Sequence, residues 1–324
     1  MSATTSATLA DQPKPPDGTG SAPSGREARS RRRTRRMSAA VPAWWAFPGI
    51  LLVLALIYIP TVLGGFYAFT DWSGIGGWSF VGLDNFVKIF QTDELVGALK
   101  NTIVLAVAFV VLTNLGGLLF ALALNRGLKT RYLLRTLLFM PVVLAPIAVS
   151  YIWSFIFAFD GPLNQALRGL GLDSWQKDWL ADPTLAKLCV LTVMVWQNVG
   201  LVMVIYLAGL ATVPIEIEEA AAIDGAGRWS RFWHVVLPSI RPAVAIATTL
   251  MLVQGLRVFD QIMALTGGGP SGATQTLATE IYQQTLVFGK FGFGAALALL
   301  LSALILVFSI FQQLIMRERS ATGA

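Results

Sequence analysis

Few residues in this chain are equipped to make or break bonds. It has one histidine, His234, and one cysteine, Cys189. Together they cannot assemble a conventional zinc site or a Ser/His or Cys/His hydrolytic centre. No H-E-x-x-H occurs, and the one Gly-Lys pair, Gly289 and Lys290, is followed by Phe291, so the phosphate-cradling G-x-x-x-x-G-K-[ST] loop is absent. An intramembrane aspartyl protease needs two aspartates in apolar segments, and only Asp260 lies in one. The sequence therefore argues against an enzyme, against ATP hydrolysis by a phosphate loop, and against any metal site. Cys189 has no partner for a disulfide and is expected to pack in the core.

The elements around these residues are apolar. The 324 residues are 55% hydrophobic and only 13% charged, with a mean hydropathy of +0.65, which is the balance of a membrane protein. Charge-free runs over 37–70, 101–125, 136–159, 188–215 and 291–316 each exceed the roughly 20 residues that cross about 30 Å of hydrocarbon. A sixth run, 243–265, is as apolar but carries Arg257 and Asp260. The expected fold is an all-α integral membrane protein with six transmembrane helices. With an inner amino terminus, the inner segments hold 17 of the 24 lysines and arginines and the outer segments 6. The positive-inside rule then predicts both termini in the cytoplasm. That bias also explains the net charge of +6 without a nucleic-acid partner. The run "REARSRRRTRR" reads as a topogenic signal, with binding to nucleic acid or anionic lipid as the alternative. Residues 1–40, rich in Ser, Pro, Gly and Arg, are expected to form a disordered basic cytoplasmic tail, and 41–324 the transmembrane domain.

One stretch interrupts the lipid-like pattern. Pro214 suits a helix start, and Glu216, Glu218 and Glu219 follow in its first turns, where carboxylates favour the exposed amide end. Ala220, Ala221 and Ala222 keep the helix narrow, and Asp224-Gly225 ends it. Trp229, Phe232, Trp233, Val236 and Leu237 then fall on one face of a second helix whose other side carries Arg228, Ser230 and Arg231, closed by Pro238. An interfacial helix pair resting on headgroups accounts for the second helix. It does not account for the first, whose small, acidic face suits close approach to a protein groove.

The string "EAAAIDGAGRWSRFWHVVLP" resembles the cytoplasmic signature of the permease subunits of bacterial ABC importers: EAA, three residues, Gly, nine residues, Ile, one residue, Leu-Pro. Here those positions are Glu219, Ala220, Ala221, Gly225, Val235, Leu237 and Pro238, and only Val235 departs, conservatively. Within loop 212–242 the resemblance implies that these residues, with Asp224, dock an ATP-hydrolysing subunit. "GPLNQALRGLGL", "FDQIMALTGGGP" and "GKFGFGAA" are similar to segments of the carbohydrate-uptake branch, which includes maltose-type and glycerol-phosphate-type permeases. The resemblance thus implies the type I ABC importer permease fold in a bacterial inner membrane. It further implies a sugar substrate and three kinds of partner: a second permease as heterodimer, an ATPase pair holding ATP and Mg²⁺, and an extracytoplasmic solute-binding protein. This chain itself would need no cofactor. The segment 159–186 resembles the external face presented to such a binding protein; a connector lying on the membrane is the simpler alternative.

A sugar needs hydrogen-bond partners that the bilayer lacks. Trp196, whose ring suits stacking, Gln197, Asn198 and Gly200 on the fourth span, with Gln254, Gly255, Arg257 and Asp260 on the fifth, are therefore the candidate pathway residues. For Asn198 and Gln254 the competing role is an interhelical hydrogen bond worth about 0.6–2 kcal/mol. Arg257 and Asp260, three apart, suit a structural ion pair or gate; an Arg257 without that pair would suit an anionic substrate such as a sugar phosphate. Pro141 and Pro146 are expected to kink the third span. Two other readings stay open: a six-helix carrier or channel that needs no ATPase, and an intramembrane enzyme.

Overall fold

The computed structural model describes residues 43–125 and 129–321; the expected tail 1–40 lies outside them. Among the described residues there are helices and one isolated β-bridge between Thr70 and Phe80, with no strand. Five helices are long and apolar enough to cross a membrane, or six when one bent pair is counted as a span. The chain divides into two units, 1–60 and 61–324. Helix α1, Trp44–Tyr67, bridges that division and has a mean hydropathy of 2.3.

The second unit is built around two long helices. α2 (Asp84–Gln91) leads into α3 (Asp93–Leu124), which begins earlier than its charge-free run because Asp93 and Glu94 sit at its positive amide end. α3 packs along α7 (Pro183–Leu210). The contact depends on small residues: an added Cβ at Gly117 would lie 2.5 Å from Val202, and one at Gly116 3.0 Å from Val199. In lipid there is little hydrophobic force between helices, so close backbone approach supplies the packing. Phe109, Val193, Met194, Met203 and Tyr206 fill the seam, and the Tyr206 hydroxyl donates to Asn114 Oδ1 at 2.6 Å.

The third span is broken rather than kinked. α4 (Arg131–Val143) ends one residue before Leu144, and α5 (Pro146–Phe157) starts at the proline. Pro146 has no N–H and pushes Ala145 out of the helical region, to φ −61°, ψ 130°. Pro141 remains inside α4. Beyond α5, the short α6 (Pro162–Gly169) is held by Asn164, which is fully buried. Its amide donates to the carbonyls of Phe159 and Lys177, both at 2.9 Å, and accepts from Trp179 Nε1 at 2.9 Å. Asp182 Oδ1 then caps α7, accepting from the amides of Thr184 and Leu185.

The fifth span is also interrupted. α8 (Ile215–Ile223) and α9 (Arg228–Ser239) precede α10 (Arg241–Leu256), which turns 70° from α9. The helix therefore continues through Pro238 and bends at Ile240, whose φ is −90° and ψ 8°. α10 stops at Leu256, and α11 (Asp260–Leu265) is a separate helix. The carbonyl of Val258, freed by this break, accepts from Thr276 Oγ1 at 3.2 Å. After a glycine-rich loop, α12 (Leu277–Tyr282) is pinned to α3 by Thr102 Oγ1, which accepts from the Leu277 amide at 2.8 Å. α13 (Phe291–Ala321) completes the chain.

Candidate functional site

The acidic helix α8 is the least covered helix of the second unit. None of its residues is buried, and Ile223 at its end is 87% exposed. Its stop is chemically defined. Gly225 adopts φ +83°, a conformation glycine takes without steric cost. Its amide donates to the Ala222 carbonyl at 3.1 Å, and that of Ala226 to Ala221 at 2.9 Å. These two bonds form the paired closure of a Schellman motif. Glu219, Ala220, Asp224 and Gly225 are exposed and Ala221 half-buried, so the small face between the acids stands free. Across the turn, Val235, Leu237 and Pro238 are half-buried, while Val236 and Ile240 enter the core. The signature thus has an outward part, α8, and an anchoring part, α9.

The polar residues of the spans fall into different classes. Asn198 is buried, and its amide donates to the Met194 carbonyl of its own helix at 2.9 Å. Gly200 is a crossing point, since an added Cβ would collide with the Leu138 carbonyl of α4; Gly255 likewise lies against Phe109 and Ala106 of α3, at 3.0 and 3.1 Å from the built Cβ. Both glycines admit the close approach of a neighbouring helix. Trp196 is half-exposed, its ring 5.5 Å from that of Trp153 at 70°. Gln254 and Arg257 are exposed and Asp260 half-buried. No side-chain hydrogen bond or ion pair joins any two of these seven residues.

The expected pairing of Arg257 with Asp260 on one helix face is not what the chain forms. Arg257 follows the last residue of α10, with φ −99° and ψ 13°, and Phe259 has φ −135° and ψ −59°. The two residues belong to separate segments. Among the described residues the one ion pair is Lys88–Asp84, at 2.7 Å.

A network that the sequence did not reveal joins the two broken spans. Gln197 Nε2 donates to the Leu144 carbonyl, freed by the Pro146 break, at 3.0 Å, and Gln261 Nε2 donates to Gln197 Oε1 at 3.2 Å. Gln197 and Gln261 are buried. Pro146 was the available signal, because a break two residues after Leu144 leaves a carbonyl that hydrocarbon cannot satisfy.

Residues 113–320 match the family model described as binding-protein-dependent transport system inner membrane component. The chain belongs to this family. It is accordingly a transport component of the membrane, as its relatives are. The chain is 35% identical over 272 residues to the multiple sugar-binding transport system permease protein MsmF of Streptococcus mutans, covering 83% of this chain and 93% of that one. It is 32% identical over 278 residues to the probable starch degradation products transport system permease protein AmyD of Thermoanaerobacterium thermosulfurigenes, covering 85% and 94%. A bacterial alginate ABC transporter, solved with a periplasmic protein carrying an alginate pentasaccharide, contains a chain of the same fold. Its TM-score is 0.76 and its identity 24%, covering 91% of this chain and 99% of that chain. The shared helical permease fold accounts for the apolar spans.

Proposed function

We propose that this chain is one permease subunit of a binding-protein-dependent ABC importer for a sugar, an oligo- or disaccharide. It forms half of the translocation pathway with a second permease and docks an ATPase pair through residues 216–238. ATP and Mg²⁺ are bound by those partners and none by this chain. An extracytoplasmic solute-binding protein delivers the sugar to the 159–186 side, and both termini lie in the cytoplasm of a bacterial inner membrane. The observation that carries the reading is α8: a rigidly terminated, small and acidic helix left uncovered on a membrane protein. The sugar-transport names of MsmF and AmyD support the substrate class.

Arg257 supports a second substrate reading. It is exposed and has no carboxylate partner, which suits a glycerol-phosphate-like or other polyol substrate bearing an anion. Uptake of labelled maltose-type sugars and of glycerol phosphate in cells carrying Arg257→Gln separates the two. Selective loss of the phosphate ester supports the second reading, and unchanged ratios support the neutral sugar.

The importer reading is tested by tagging the chain, extracting it gently and identifying what co-purifies, beside a Glu219→Lys/Gly225→Trp variant. The wild type should bring a second permease and an ATPase, and the variant should lose only the ATPase. A wild type that purifies alone and moves solute in vesicles without ATP would leave a carrier or channel.

A further inference from the structure

Residues of α3 and α9 line a groove of about 1030 Å³. One wall is a stripe of Leu115, Leu118, Leu119 and Leu122 on α3, and the other is the ring face of α9, Trp229, Phe232 and Trp233. Leu115 and Leu119 are 55% and 67% exposed, and at about 1.5 Å per residue the stripe runs roughly 10 Å along the helix. The lining also has polar residues: Asn125 at the end of α3, Glu218 as the one acid, and Arg228 and Arg231, which line the same groove as the rings rather than lying on the opposite side of the helix as the sequence pattern suggested.

Arg228 is exposed and Arg231 half-buried, neither forms an ion pair with Glu218, and Arg231 Nε has no hydrogen-bond partner. A desolvated guanidinium nitrogen without an acceptor is costly, and a planar fork of donors matches phosphate oxygens. An apolar wall lined with tryptophans and carrying two arginines combines the chemistry that an acyl chain and an anionic headgroup need.

We propose that this groove binds one anionic phospholipid of the cytoplasmic leaflet, its phosphate on Arg228 and Arg231 and an acyl chain along Leu115–Leu122. The lipid braces α9 against α3 and so stiffens the base from which α8 projects. The choice of leaflet rests on the proposed orientation; the groove and its chemistry do not.

The test uses the importer as purified with its partners. Lipids are extracted from the detergent-washed complex and quantified by mass spectrometry for the wild type, Arg228→Gln/Arg231→Gln and Leu119→Trp. The wild type should retain phosphatidylglycerol or cardiolipin over phosphatidylethanolamine. The arginine variant should lose that preference at least fivefold, and Leu119→Trp should lose the retained lipid altogether. Equal anionic retention in all three would overturn the proposal. So would a map of the wild-type complex in phosphatidylglycerol nanodiscs showing a protein helix rather than an acyl chain in the groove. ATPase recovery is scored on the same samples: its absence from the wild type rejects the coupling role of α8 and leaves the lipid result to be judged separately.

Discussion

Replacing Gln197 with Leu probes the joint between the two broken spans. The side chain donates to the Leu144 carbonyl and accepts from Gln261, at 3.0 and 3.2 Å. A buried interhelical hydrogen bond in a membrane protein averages about 0.6 and reaches about 1.7 kcal/mol. Two bonds give about 1.2 kcal/mol, and a carbonyl left without a donor adds about 1–3 kcal/mol. Leu fills most of the volume, so cavity costs stay small. The expected destabilisation is about 2–4 kcal/mol, measured by denaturant unfolding of the chain in mixed micelles. Gln261→Leu should cost less, since it removes one bond and leaves Gln197 still donating to Leu144. The double variant should fall short of the sum by about 0.6–1.7 kcal/mol, the coupling of the shared bond. A Gln197→Leu loss below 0.5 kcal/mol, or strict additivity, would refute the view that this pair supports the Pro146 break.

Three further outcomes follow from single sites. At Gly225 a Cβ meets nothing within 4 Å, so Gly225→Ala should cost only the left-handed backbone term, about 1–2 kcal/mol; hydrogen exchange should show faster opening confined to α8 and its turn. Asn164→Leu removes the bonds to Phe159, Lys177 and Trp179, and uptake should fall while ATPase recovery is unchanged; a parallel loss of the ATPase would contradict the separation of the two faces. Glu280 is buried, and burial, then the nearby Glu94, pushes its carboxyl above 4.5 against the hydrogen bond from Gln284. A raised carboxyl stabilises the fold when protonated, so stability should be fullest below pH 4.5 and decline as pH rises through the elevated value. Glu280→Gln should flatten that part of the stability profile and raise the midpoint at pH 7.

Long charge-free runs locate the apolar helices because hydrocarbon length is a strict requirement, and the helix–turn–helix of 214–238 is legible because proline, acids, alanines and glycine each act locally. Breaks are less legible. Pro146 announces the first, but the end of α10 at Leu256 has no proline or glycine immediately after it, and the Val258 carbonyl beyond it accepts from Thr276, 18 positions away. Separation along the chain likewise hid the close contacts of Gly200 with α4 and of Gly255 with α3. Asn164 lies in a segment the sequence singles out by resemblance, but only the folded loop brings four hydrogen-bonding groups around its amide.

The central claim, that α8 is the contact for an ATP-hydrolysing partner, is tested most directly by a photo-crosslinking residue at Ile223 in living cells, with one at Trp175 in the segment proposed to face the binding protein for comparison. Both positions are highly exposed. Position 223 should crosslink to the ATPase subunit, and position 175 should not. Crosslinks from 223 to lipid or solvent alone, with uptake intact, would contradict the account.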